Sequence, residues 1–178
     1  MSASEKTKKL TRTIALTALF TALTAAATFI KVETPVTHGH INFGDVIVLL
    51  GAFALGPVYG GIAGAVGSML ADLIMGYMLF VPATFVIKGA CAVTAALIFL
   101  AFSHGAKRSL VGQIIGGLAG EAIMVIGYFA YEATLLKYGW AAAASAPLNA
   151  IQGVVGVALS IALYRSLAAI PALKKNFI

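Results

Sequence analysis

Residues 43–77 read FGDVIVLLGAFALGPVYGGIAGAVGSMLADLIMGY, thirty-five positions with two charges, Asp45 and Asp72, one at each end. No polar alternation interrupts the stretch, so neither a half-buried strand nor a surface helix fits it. Gly56-Pro57 breaks it in the middle, because glycine frees the backbone and proline cannot continue a helix hydrogen-bonded to what precedes it. Two apolar helices are therefore expected, 43–55 and 58–77. The first has only 13 residues. At about 1.5 Å per residue it is short for a hydrocarbon core ~30 Å thick, so it is tilted, shielded by neighbours or re-entrant.

The same pattern runs outward in both directions. Apolar segments cover 14–30, 83–102, 110–131 and 147–170, with Pro82 and Pro147 opening two of them. Of the 178 residues, 61% are hydrophobic and 10% charged, with a mean hydropathy of +0.99. So few charges cannot cover the surface of a soluble domain this size, whereas lipid accepts an apolar exterior. The expectation is a single all-α membrane domain over 1–178, a bundle of six transmembrane helices.

Basic residues set the direction. With a cytoplasmic N-terminus, six crossings put both termini and the 103–109 link inside. That side carries Lys6, Lys8, Lys9, Arg12, Lys107, Arg108, Arg165, Lys174 and Lys175. Outside are only Lys31 and Lys137, and Lys88 falls within a span. This asymmetry is the positive-inside pattern. The formal charge of +6 is thus a topology signal, and no basic stripe interleaved with aromatics points to nucleic acid. The first segment also has a signal-peptide outline, but more membrane follows it, which favours a retained span.

Small residues at helical spacing mark close packing: Gly60, Gly64 and Ser68, then Gly112, Gly116 and Gly120, then Gly153 and Gly156. Ala18, Ala22 and Ala26 form a smooth stripe on the first span, which serves either internal packing or docking of another membrane protein.

Ionisable groups within spans are costly and default to functional candidates. Asp45, Asp72, Lys88, Asn149 and Gln152 all fall toward the outer half, and Glu121 lies near mid-membrane. Glu121, Val125, Tyr128 and Glu132 share one stripe by steps of four, three and four. Together they suit a small solute that donates and accepts hydrogen bonds. Each has a plainer use: Lys88 snorkelling or pairing with Asp72 or Asp45, Asn149 capping its helix, Tyr77, Tyr128 and Tyr131 forming an interfacial belt. His38 and His40 sit in the polar link 31–42, a candidate lid; two histidines are too few for a metal site. His104 reads as a solvated loop residue. Cys91, the single cysteine, is a packed thiol. There is no GxxxxGK[ST] loop and no nucleophile with a base partner, so neither ATP binding by that device nor enzyme activity is expected, nor a cofactor or metal.

The alanine stripe, GHINFGD at 39–45, ALGPVYGGIAGAVGSMLADLIMG at 54–76 and PATFVIKG at 82–89 resemble the substrate-binding S component of energy-coupling-factor (ECF) vitamin transporters, over nearly the whole chain. The resemblance implies a six-helix subunit of a bacterial cell membrane that captures a vitamin outside and hands it inward. Its implied partners are a transmembrane coupling (T) subunit and two cytoplasmic ATPases. Ala18, Ala22 and Ala26 match the family's docking stripe, and 31–42 its gate. The INFGD and IKG stretches are similar to the branch assigned to vitamin B6 compounds or hydroxymethylpyrimidine. On that basis Lys88, Glu121, Tyr128, Asn149, Gln152, Asp45, Asp72 and His40 are the expected substrate contacts, with pyridoxine or pyridoxal favoured. A stand-alone ion-coupled carrier using Glu121, or a membrane enzyme, are the competing functions.

Overall fold

The computed structural model describes residues 3–34, 37, 39–103 and 108–170. His38, His104, Lys107, Lys174 and Lys175 lie outside the described residues. Among the described residues five helical stretches are long and apolar enough to cross a bilayer, and large side chains such as Ile14, Leu19, Ile74, Val86, Ile126 and Val154 are exposed along them. That exterior belongs to a multi-pass membrane protein.

Helix α1 (Ala3–Thr28) begins well before its apolar run and carries the N-terminal lysines on its first turns. It buries Phe20, Thr24 and Thr28 and leaves Ala18, Ala22 and Ala26 exposed. The hydroxyls of Thr17, Thr21 and Thr28 bond back to carbonyls four residues earlier, at 2.8, 2.9 and 2.8 Å. Hydroxyls in an apolar setting are satisfied this way at little cost.

Within the 31–42 link, expected as a polar outer loop, the described residues form a two-stranded β-hairpin. Strands β1 (Lys31–Thr34) and β2 (Gly39–Asn42) pair antiparallel, Lys31 against Asn42 and Glu33 against His40.

Helix α2 (Gly44–Met75) is broken into two helical limbs at Gly56. At Gly56 the backbone takes φ 81° and ψ −176°, a region open in practice to glycine alone. There the chain doubles back. In a straight helix Ala52 and Gly60 would stand about 12 Å apart. Here a Cβ placed on Gly60 would fall 2.7 Å from the Cα of Ala52, and one on Gly64 3.0 Å from the side chain of Val48. The two halves thus pack antiparallel, backbone on backbone, and Asp45 and Asp72 come to the same end of the molecule.

Helix α3 (Val81–Ala101) starts with proline in its first turn, where the missing N–H costs nothing. Helix α4 (Leu110–Thr134) is capped by the Ser109 side chain, which accepts from the Gly112 amide at 3.0 Å. Added Cβ atoms on Gly116 and Gly120 would meet the carbonyls of Ala95 and Cys91 at 2.6 and 2.7 Å, so α3 and α4 touch along the glycine face. A short 3-10 turn (Gly139–Ala144) leads into α5 (Ala146–Ala169), also opened by proline.

The interior divides by polarity. Phe53, Phe99 and Tyr164 meet edge-to-face, with centroids 5.3, 6.2 and 5.7 Å apart, inside an apolar cluster with Leu49, Leu50 and Val157. Many of the buried polar groups, Asp45, Asp72, Thr84, Lys88, Glu132, Ser145, Asn149 and Gln152 among them, gather instead near the β-hairpin, with Gln113 and Ser160 set apart from them. That division positions the site.

Candidate functional site

Asp45, in the first turn of α2, is fully buried and holds two partners from other helices. Lys88 of α3 donates to its Oδ1 at 2.5 Å, and the Gln152 amide of α5 donates to its Oδ2. Gln152 in turn accepts the backbone N–H of Asn42 at 2.5 Å, tying the hairpin to α5. Of the sequence alternatives for Lys88, pairing with Asp45 is the one adopted.

A second chain of bonds starts at Asp72. Thr84 donates to its Oδ2 at 2.5 Å. Because a threonine has one hydroxyl hydrogen, the Tyr128 phenol 2.9 Å away must donate to Thr84. The Lys88 ammonium lies 5.5 Å above the Tyr128 ring. Glu132, one turn beyond Tyr128, accepts from Ser145 at 2.6 Å and is also bonded by Thr37 of the hairpin's tip.

The hairpin roofs this layer. His40 lies 3.6 Å from Asp72 through Nε2 and stacks, tilted, on Tyr77 at 4.5 Å between centroids. Burial, with help from the Lys31 and Lys88 charges, lowers the His40 pKa to about 4, so it is neutral at pH 7 and the Asp72 contact carries no full charge pair. On the outside, Lys31 donates to the Tyr77 oxygen at 2.5 Å and to Glu33 at 3.0 Å. The Tyr77 bond, then the Glu33 bond, raise the Lys31 pKa despite its loss of water.

Between roof and floor lies a cavity of about 30 Å³. Among the sequence candidates, His40, Asp72, Lys88, Tyr128, Asn149 and Gln152 line it. Asp45 and Glu121 do not. Asp45 stands behind Lys88 and Gln152. Glu121 is buried against Gly153 and Gly156, with Oε1 3.8 Å from Cys91 Sγ and Oε2 without a hydrogen-bond partner. The wall also includes Glu132, which the sequence reading set on the Tyr128 stripe without counting it a substrate contact, and Thr28, Asn42, Ser68, Phe80, Thr84 and Ser145, which it did not place there. Several sit one helical turn from a candidate it named: Ser68 before Asp72, Thr84 before Lys88, Glu132 after Tyr128, Ser145 before Asn149. That i, i+4 spacing was the available signal. Tyr131, considered for an interfacial belt, donates to the Leu79 carbonyl. Among the described residues no group of three or more His, Cys, Asp or Glu forms a metal cluster.

A sequence profile described as ECF-type riboflavin transporter, S component, matches residues 8–169. The chain belongs to this family. An uncharacterised protein from a gap 3′ region of Pyrococcus woesei is 38% identical over 125 residues, covering 68% of this chain and 78% of that one. The solved structure described as "Structure and mechanism of the S component of a bacterial ECF transporter" superposes with a TM-score of 0.67 at 28% identity, covering 92% of this chain and 97% of that one. As an S component, the chain is a multi-pass protein of the plasma membrane and a non-catalytic, substrate-binding one.

Proposed function

We propose that this S component captures a small heteroaromatic vitamin at the hairpin end, which faces the cell exterior, and hands it inward with an ATP-driven coupling module. The observation that carries the reading is the small polar cavity between the hairpin and the Asp45–Lys88–Gln152 layer, set above an apolar floor. A carrier with a through-path would not place its packed aromatic cluster there. His40, Asp72, Lys88, Tyr128, Asn149 and Gln152 contact the guest, while Asp45 and Glu121 position those contacts from behind.

Two features support six crossings with both termini inside. The reversal at Gly56 turns α2 into two antiparallel segments. Arg165 reaches the Arg108 carbonyl at 3.5 Å, gathering bases at the end away from the hairpin. The exposed stripe Ala18, Ala22 and Ala26 is the docking face for the transmembrane coupling subunit, which links to two cytoplasmic ATPases.

The guest is pyridoxine or pyridoxal first, and hydroxymethylpyrimidine next. A cavity of about 30 Å³ admits even these only once the 31–42 hairpin swings away. Its wall mixes hydroxyl, amide and carboxylate groups with the Lys88 ammonium, and Phe80, Tyr128 and the His40 imidazole are its aromatic members. Riboflavin is the second reading, favoured by the family description over residues 8–169; its three fused rings require a wider opening. The test is to purify the chain without added ligand, denature it and identify the released molecule by mass spectrometry. A pyridine or pyrimidine alcohol is expected. Riboflavin would replace the first choice with the second, and transport by the purified chain alone down an ion gradient would overturn the subunit reading itself.

A further inference from the structure

Resting on that capture reading, we infer that Ser68 is a further guest-contacting residue, whose hydroxyl hydrogen-bonds an uncharged polar atom of the guest. Its place in α2 prepares it for that. The two limbs pack turn against turn, Gly60 on Ala52 and Gly64 on Val48. One turn further in that register brings Ser68 level with Gly44, where the first limb starts. The packing stripe thus runs out of partner at Ser68. The cavity opens there, with Ser68 in its wall.

The hydroxyl itself is uncommitted. Ser68 is 2% exposed, yet its Oγ has no hydrogen-bond partner. Thr17, Thr21 and Thr28 each bond back to the carbonyl four residues earlier. Gly64 would offer Ser68 the same route, and Ser68 does not take it. Among the described residues, Thr24, Gln113 and Glu121 also hold buried side-chain atoms without a partner, but none of the three lines the cavity. Other polar members of the wall are answered within the protein: Lys88 by Asp45, Thr84 by Asp72, Ser145 by Glu132 and Gln152 by Asp45. A buried hydroxyl left unpaired costs the fold stability, so its place in the wall points to a partner from outside the chain. Serine both donates and accepts, so a hydroxyl, carbonyl or ring nitrogen of a neutral guest can meet it.

The test uses the full chain in nanodiscs, stripped of ligand and titrated with pyridoxine, hydroxymethylpyrimidine and riboflavin, and it is read on the tightest binder. Ser68→Ala should weaken that compound about threefold or more, without lowering the melting temperature of the empty chain. Thr24→Val removes an unpaired hydroxyl away from the cavity and should weaken binding by less than about threefold. A loss smaller than about threefold in Ser68→Ala would overturn the inference and keep the capture reading. So would a lower melting temperature of the empty Ser68→Ala chain, failure to fold included, because Ser68 would then serve the fold. An equal loss of binding in Thr24→Val would overturn it as well. No binding of any of the three compounds to the unaltered chain would overturn the capture reading and this inference with it.

Discussion

Lys88 and Asp45 meet at 2.5 Å with both side chains almost fully buried, joining α3 to the first turn of α2 directly behind the cavity wall. Removing one partner leaves the other charge stranded. Lys88→Met alone should therefore destabilise the protein by about 3–5 kcal/mol, whereas Lys88→Met with Asp45→Leu should recover much of that loss. Thermal unfolding in detergent, run as a double-mutant cycle, checks it. Additive losses would show that the two groups do not act as a pair.

Gly60→Ala places a methyl group where the Ala52 Cα and Gly51 carbonyl already stand, each 2.7 Å from the new atom. Backbone cannot yield as a side-chain tip can, so a loss of about 1–3 kcal/mol is expected. An unchanged melting temperature would mean the halves of α2 are not in contact.

His40 makes the hairpin sensitive to acid. Its folded pKa of about 4 lies below the ordinary 6.5, so the open hairpin binds the proton more readily. The hairpin's stability is thus fully present above about 6.5 and falls as the pH drops toward 4. Amide protection in the two strands, taken relative to the intrinsic exchange rate at each pH, should fall over that window, and His40→Gln should flatten the response. A profile without slope between pH 6.5 and 4 would refute the burial of the ring.

On α1, Ala22→Leu adds bulk to an exposed face and touches no described core residue. Vitamin capture and melting temperature should be preserved, while co-purification with the coupling subunit and uptake by cells should be lost. Normal uptake with Leu at this position would move the docking face elsewhere.

The helices were legible because their limits are local: Gly56-Pro57, Pro82 and Pro147 act on the backbone wherever they stand. The hairpin was not. Lys31–Thr34 and Gly39–Asn42 are short and polar, and their pairing is held by distant groups, Tyr77 and Gln152. For the site, the sequence could rank single buried charges but not their depth behind one another. Asp45 shared the outer half with Lys88 and Asp72, and Glu121 was set deeper, yet all four were expected to touch the guest until the cavity showed which side chains stand in front. Ser68 was read as part of the packing stripe with Gly60 and Gly64, and Thr84 and Ser145 went unnamed because hydroxyls in apolar helices so often satisfy themselves, as Thr17, Thr21 and Thr28 do.

The abrupt turn at Gly56 has a bearing on how this scaffold diversifies. With no linker between its limbs, α2 behaves as a stiff staple, and neither acidic tip can drift from the other. Room for bulkier cargo must then be found opposite the staple, in the strand pair and the opening turn of α5. Selection experiments that broaden the diet of this protein should accumulate their changes on those two segments.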